Sequence, residues 1–173
     1  VAGANALCLG LVTDTGRFQF GSVGASTFTR MAYLLDQGAY LASIYEVLYS
    51  VDERDLRLRG FISMNFSKTN NGVAYMVIKK EVVEAYQVYA HKAANMVNAI
   101  ANVKACPIWV IFADDGKDIY VEMRCIEGYN IQPVARQFGG GGHENAAGCT
   151  LTSLDNVQNV LNALGNVVLK GRQ

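Results

Sequence analysis

Charge is scarce in this sequence. Asp, Glu, Lys and Arg make up 17% of its 173 residues, and the 15 basic and 15 acidic side chains cancel, well under the usual quarter. With 51% hydrophobic residues, the chain has the composition of a folded globular protein, long enough for one domain or two small lobes. The lack of net positive charge and of any basic run argues against tight binding to long duplex nucleic acid, which needs many phosphate contacts. A short or small phosphorylated ligand stays open. Cysteine is sparse too: Cys8, Cys106, Cys125 and Cys149 are scattered, form no C-x-x-C pair and have no histidine at zinc-ligand spacing. They read as buried thiols of a reducing compartment, the cytoplasm. No apolar run approaches the roughly 18 to 20 residues of a membrane span. The first residues lack both an initiator Met and the basic start of a signal peptide, so a fragment of a longer chain is expected. There is no internal repeat and no low-complexity tract.

What is present divides into two patterns. "AGANALCLGLV" reads as a helix cut off by the turn "TDTG", and "STFTRMAYLLDQGA" as a helix opened by capping hydroxyls and closed on Gly38. "AYLASIYEVLYS" and "DERDLRLRGFISMNF" continue as helices, the second capped by Asp52. A polar turn cluster follows from Ser67 to Gly72, free of proline and able to act as a hinge. Beyond it strands and helices mix. "VAYMVIKK" is rich in strand formers, and residues 81–100 read as one long amphipathic helix on which His91 is a surface residue. "IWVIFAD" and "DIYVEMRC" flank a hairpin turn at Gly116. A short helix over "NIQPVARQF", a strand over "AAGCTLT" and a capped helix from Ser153 complete the chain. The expected fold class is α/β: a helical segment over residues 1–68, then a small mixed-sheet lobe over 69–173.

Three stretches could carry chemistry. The run "QFGGGGHENAAG" sets Gly139, Gly140, Gly141 and Gly142 before His143. Four glycines together are entropically costly to order, so either a flexible turn or close approach of an anion to bare backbone must account for them. A helix beginning at Glu144 to Ala147 would add its positive end. The run is neither a G-x-x-x-x-G-K-[ST] phosphate loop nor a dinucleotide fingerprint after a first strand. His143 can donate to a phosphate oxygen or protonate a leaving group, or be satisfied by a local carbonyl. Arg124 can fork a phosphate, or pair with Glu122 or Glu127. Asp14 in "TDTG" is either a helix-end turn residue or one oxygen ligand of a hard divalent ion.

Taken together, "GLVTDTGRFQF", "STFTRMAYLLDQGA" and "FGGGGHENAAG" resemble the DHH phosphoesterases that carry a C-terminal DHH-associated domain, in particular the bacterial group acting on oligoribonucleotides and 3′,5′-bisphosphate nucleotides. The resemblance runs in order along essentially the whole chain. It implies that residues 1–68 are the helical end of a DHH catalytic domain plus linker, and 69–173 a DHH-associated substrate-binding domain. It further implies two manganese ions and an activated water attacking the phosphodiester. It places a metal ligand on Asp14, a catalytic and substrate-contacting role on His143, and substrate contacts on Gly139 to Gly142 and on Arg124. Glu122 and Cys125 stand where the resembled group has serines flanking the arginine, and an acid there weakens phosphate affinity.

The Asp-His-His motif and its companions would precede Val1, so the chain by itself is expected to be inactive. The expected partner is a short RNA or small phosphorylated nucleotide, and a homodimer is admissible. The alternatives are a nucleotide- or RNA-binding module without catalysis, a cyclic-dinucleotide phosphodiesterase, and a scaffold or dimerisation fragment whose glycines merely permit close packing.

Overall fold

The computed structural model describes residues 2–19 and 21–171; Phe20, the end of the "GLVTDTGRFQF" stretch, lies outside them. The chain forms two units, one up to Val51 and one from Asp52 onward.

The first unit is helical, as its sequence pattern requires: α1 (Ala2–Asp14), α2 (Ala25–Asp36) and α3 (Leu41–Tyr49). Its core is small, built on Cys8, Val12, Met31, Ala39 and Ile44. The expected turn after α1 is present. Gly16, Arg17 and Phe18 all take left-handed φ values, of 56°, 61° and 64°. That cost is offset by buried Thr15, whose hydroxyl donates to the Leu11 carbonyl (2.7 Å) and accepts the Phe18 amide (3.1 Å). The Thr27 hydroxyl accepts the Gly24 amide at the start of α2 (3.3 Å), and Gly38 (φ 86°) follows its end.

The second unit begins with α4 (Glu53–Asn65) and continues as a six-stranded sheet of β1 (Ser67–Lys68), β2 (Val73–Ile78), β3 (Ile108–Asp114), β4 (Ile119–Cys125), β5 (Gly141–Gly142) and β6 (Ala146–Leu151). The strand order is β1-β2-β3-β4-β6-β5; β2 and β3 are parallel and every other pair is antiparallel. The sequence places a boundary at Ser67 to Gly72, but α4 packs with the sheet because Leu58 and Ile62 are fully buried in its core. The polar cluster is a hairpin joining β1 to β2, with Ser67 opposite Tyr75 and Gly72 at φ 80°.

Parallel β2 and β3 need a crossover, and residues 79–107 supply it. One continuous helix over 81–100 does not form. Helix α5 (Lys80–Ala85) stops at Gln87 (φ 53°), where the Gln87 amide donates to Glu84 (3.0 Å) and the Val88 amide to Val83 (3.2 Å). That is a helix-ending bond pair with glutamine in the left-handed place. The chain restarts as α6 (Ala90–Ala94) and tightens into a 3₁₀ turn, Asn95–Ile100. Val83 before the break and Ala90, Ala93, Ala94, Val97 and Ile100 after it all pack into the same core.

Residues Ile108 to Ala113 are buried on both faces of the sheet, which explains their unbroken apolar run. Alternate residues face α4–α6 (Trp109, Ile111, Ala113) or the opposite layer (Ile108, Val110, Phe112). That second layer consists of α7 (Gln132–Gln137) and α8 (Val157–Lys170), the latter burying Val160, Leu161 and Leu164. Ser153 accepts the Asp155 amide (3.1 Å) at the start of the C-terminal helical stretch, as its sequence predicts. In the β3–β4 turn, Gly116 has φ 89° and the Asp115 carboxylate accepts the amides of Lys117 (2.9 Å) and Asp118 (2.8 Å). The strand expected over "AAGCTLT" is β6, and no helix begins at Glu144 to Ala147: Glu144 and Asn145 lie in the turn before the strand, and Ala147, Cys149 and Leu151 pack alternately into the α7–α8 layer, a period of two.

Candidate functional site

The helical layer of α4–α6 and the 3₁₀ turn reaches across β2 and β3 onto β4 and leaves β6 and β5 bare on this face. Along β4, Tyr120, Glu122 and Arg124 point to this face, each half-buried between buried neighbours. Their partners across β6 are Thr150, Gly148 and Ala146, and Gly141 of β5 lies opposite Gly148. A sheet lined by such small residues, beside the edge of a helical layer, leaves a groove. Its volume is about 460 Å³; His91, Ala94 and Asn95 form one wall, Gly139, Gly140 and Gly141 the other, and Tyr120, Glu122 and Gly148 lie between. A larger depression of about 630 Å³ lies between α7 and α8, lined by amides such as Asn159, Asn162 and Asn166. It holds none of these four glycines, and Arg124 and His143 line neither depression.

The four glycines do different jobs. Gly139 (φ 76°) sits just past the end of α7; its amide donates to Arg136 (3.1 Å) and that of Gly140 to Ala135 (2.8 Å), which together terminate the helix. These two amides are engaged within the fold. A Cβ on Gly140 would lie 2.0 Å from the Gly148 carbonyl, and one on Gly142 (φ 130°) 2.5 Å from that of Ala146. Hydrogen bonds in both directions between His143 and Ala146 extend the β5–β6 ladder by one step (2.8 and 3.3 Å). Bonded pairs alternate along an antiparallel ladder, so the Gly142 amide faces outward. Its carbonyl accepts the Gln132 side chain. Gly141 differs from the others: its φ is not left-handed and a Cβ there would meet nothing within 4 Å. Neither backbone nor packing requires a glycine at 141.

The same ladder aligns two of the expected site residues. Arg124 pairs with Ala146 and Ala146 with His143, so Arg124 and His143 share one cross-strand row, two strand spacings or about 10 Å apart at the backbone. Arg124 is already engaged: its Nη1 lies 2.8 Å from Glu122 Oε2 and donates to the Met123 carbonyl at 2.8 Å. Of the two ion-pair partners considered, Glu122 is the one used. His143 is exposed at the tip of the β5–β6 turn, and its ring makes no hydrogen bond among the described residues. The turn is pinned beneath it, since the Cys125 amide donates to Asn145 (3.1 Å) and the Ile131 amide to Glu144 (2.9 Å).

Asp14 belongs to the first unit, at the exposed C-terminal end of α1. A carboxylate opposes the helix dipole there. It makes no ion pair and no side-chain hydrogen bond among the described residues, so nothing in the local fold accounts for it. Nor does it have fellow ligands: no group of three His, Cys, Asp or Glu able to hold a metal ion occurs among the described residues. A pair of manganese ions does not fit the donors present, since one carboxylate cannot supply the six or so oxygen ligands a hard ion takes.

Sequence reading missed the opposite wall. His91 is exposed, as expected, but it faces the glycines. The alternation of Tyr120, Glu122 and Arg124 along a strand was the available signal that one face of β4 is not core. Cys149 also lines the groove; burial, and then the Glu122 charge, push its thiol up to about 11. Burial likewise raises Cys125, beneath the β5–β6 turn. No helix among the described residues is long and apolar enough to cross a membrane.

Comparison with known proteins places this geometry in a family. The chain is 31% identical over 158 residues to the bifunctional oligoribonuclease and PAP phosphatase NrnA of Bacillus subtilis, covering 91% of this chain and 50% of that protein. It is 34% identical over 151 residues to the protein of the same name from Mycoplasma pneumoniae, covering 87% and 46%. The chain thus spans about half the length of these curated relatives. The crystal structure of an exopolyphosphatase-related protein from Bacteroides fragilis shares the fold, with a TM-score of 0.85 at 23% identity over 97% of this chain and 50% of that one. The DHHA1 domain model matches residues 61–170, from within α4 to the end of α8 and so across the sheet and the glycine run; the chain belongs to the DHHA1 domain family.

Proposed function

We propose that this chain is part of a phosphoesterase acting on short oligoribonucleotides or 3′,5′-bisphosphate nucleotides, and that the groove of the second unit grips the nucleotide. Gly141 carries this reading. The fold tolerates a side chain there, yet the residue is bare where the groove passes it, and Arg124 and His143 lie in the adjoining row. Arg124 would fork a phosphate once Glu122 yields it, and His143 would donate a proton to a phosphate or leaving-group oxygen. The relatives' names supply the substrate class, and the neutral overall charge suits a ligand with few phosphates.

Asp14 is assigned to a divalent-ion site whose remaining donors lie outside this chain. The reading therefore holds that the 173 residues bind nucleotide and hydrolyse nothing. The test is manganese-dependent hydrolysis of a labelled RNA dinucleotide and of adenosine 3′,5′-bisphosphate by the full-length gene product, beside its Asp14→Ala and His143→Ala variants and the 173-residue chain. Activity in the full-length protein, lost in both variants and absent from the short chain, is the expected pattern. A second reading, a nucleotide-binding module without catalysis, is favoured by the lack of a metal-holding cluster among the described residues. It prevails if the full-length protein binds both ligands and cleaves neither.

A further inference from the structure

The wall facing the glycines is aromatic: Tyr120 packs against the core at its base, but Tyr89 and His91 are exposed and core packing does not account for them. Tyr89 is 74% exposed, yet its ring stacks on the His91 ring with centroids 5.6 Å apart and planes within 12°. His91 in turn meets the Tyr120 ring edge-on at 6.0 Å and 70°. Three rings from two separate elements, α6 with the residue before it and β4, thus converge on the surface at one end of the groove. Asn95, one helical turn beyond His91, is exposed on the same wall and its amide makes no hydrogen bond among the described residues. Below lies Glu122, whose Oε2 holds Arg124 and whose Oε1 lies against Gly148, 3.1 Å from where a Cβ would sit.

We propose that this wall is a nucleobase subsite, with the base stacked on the His91–Tyr89–Tyr120 cluster and its polar edge met by Asn95. The inference rests on the reading of the groove as a nucleotide site and adds which end takes the base. Electrostatics sets the direction. A carboxylate repels phosphate, while Arg124 and His143 attract it, and along β4 the order is aromatic Tyr120, acidic Glu122, cationic Arg124. The base therefore lies at the His91 end and the phosphate at the Arg124 end. Stacking is indifferent to base identity because every base has a π face, so the subsite admits all four bases. An amide that both donates and accepts adds a modest preference. The groove, at about 460 Å³, falls in the range that encloses small ligands.

The test compares 5′-AMP with ribose 5-phosphate, the same sugar phosphate lacking a base, by titration calorimetry on the 173-residue chain. Wild type should bind 5′-AMP at least about tenfold more tightly. His91→Ala should remove most of that difference and leave ribose 5-phosphate unchanged; His91→Phe, which keeps a stacking face, should restore it. Gly141→Val, which sends a branched side chain into the groove, should weaken both ligands alike. Equal affinity of wild type for the two ligands, or full 5′-AMP affinity in His91→Ala, overturns the base subsite while leaving the groove as a phosphate site. Failure of wild type to bind either ligand, or indifference to Gly141→Val, defeats the groove reading and the subsite with it. Matching thermal unfolding midpoints show that each variant is folded.

Discussion

Adjacent glycines in the same run should respond in opposite ways to the smallest substitution. In Gly140→Ala the new Cβ would lie 2.0 Å from the Gly148 carbonyl oxygen, 2.6 Å from the Cys149 Cβ and 2.7 Å from the Cys149 Cα. Two of these are backbone atoms of a strand paired on both sides, so relief requires either β6 to shift against β4 or the end of α7 to lift. Forced overpacking costs about 1–3 kcal/mol and more when backbone must move; about 3 kcal/mol is expected here. For a domain of this size that lowers the unfolding midpoint by roughly 10 °C. Gly141→Ala meets nothing within 4 Å and needs no left-handed φ. It should be neutral, or stabilise by a few tenths of a kcal/mol through the lower entropy of its unfolded chain. Scanning calorimetry of the two variants beside wild type decides the matter. A Gly140→Ala midpoint within about 1 °C of wild type, or equal loss in both variants, would show that the division of labour among the glycines is wrong.

Glu122→Gln should free Arg124 and strengthen binding of 5′-AMP by roughly three- to tenfold, read by calorimetry; unchanged affinity would remove Arg124 from the list of phosphate contacts. With its thiol raised to about 11, Cys149 should hold about a hundredfold less thiolate than an ordinary cysteine at pH 8. Its alkylation by iodoacetamide should be correspondingly slow until the pH passes 10, and mass spectrometry at pH 8 that finds Cys149 modified first would contradict this. Asp115 has its carboxyl held below the ordinary value by the amides of Asp118 and Lys117. The sign follows from linkage: a depressed folded pKa stabilises above the unfolded value and is lost as pH falls through the folded one. Wild type should lose stability relative to Asp115→Asn below about pH 4, and parallel denaturation curves for the two proteins from pH 7 to pH 2.5 would refute it.

The mixed lobe was legible where local chemistry decides the outcome. Gly116, Gly38 and the Ser153 cap sit at the ends their residue types predict, and the alternation in "DIYVEMRC" is that of a strand half facing the core. Legibility failed where no local residue type marked a break or a pairing. Residues 81–100 have helical periodicity throughout, Val83 and Ala90 lying on one stripe, and the left-handed residue at the break is Gln87 rather than a glycine, so nothing in the local sequence marks the stop. The start of "ENAAG" was ambiguous because small residues suit a helix and a strand alike; pairing with β4 settles it. The same limit applies to the site. The glycine run announced itself, whereas His91 and Tyr120, 29 positions apart in the chain, become one wall only through the crossover that brings α6 over β4.

Both borders of the sheet are only two residues long, β1 at one side and the glycine pair of β5 at the other. A short border offers too few unpaired backbone groups to recruit a further strand, which protects against open-ended polymerisation. It also bears on self-association, since neither border strand offers a second copy more than two residues to pair with edge to edge. At the β5 border the protection has a second use. A longer strand with ordinary side chains would have covered Gly148 and Glu122, so the device that stops the sheet from growing also keeps one side of the groove low enough for a ligand to enter.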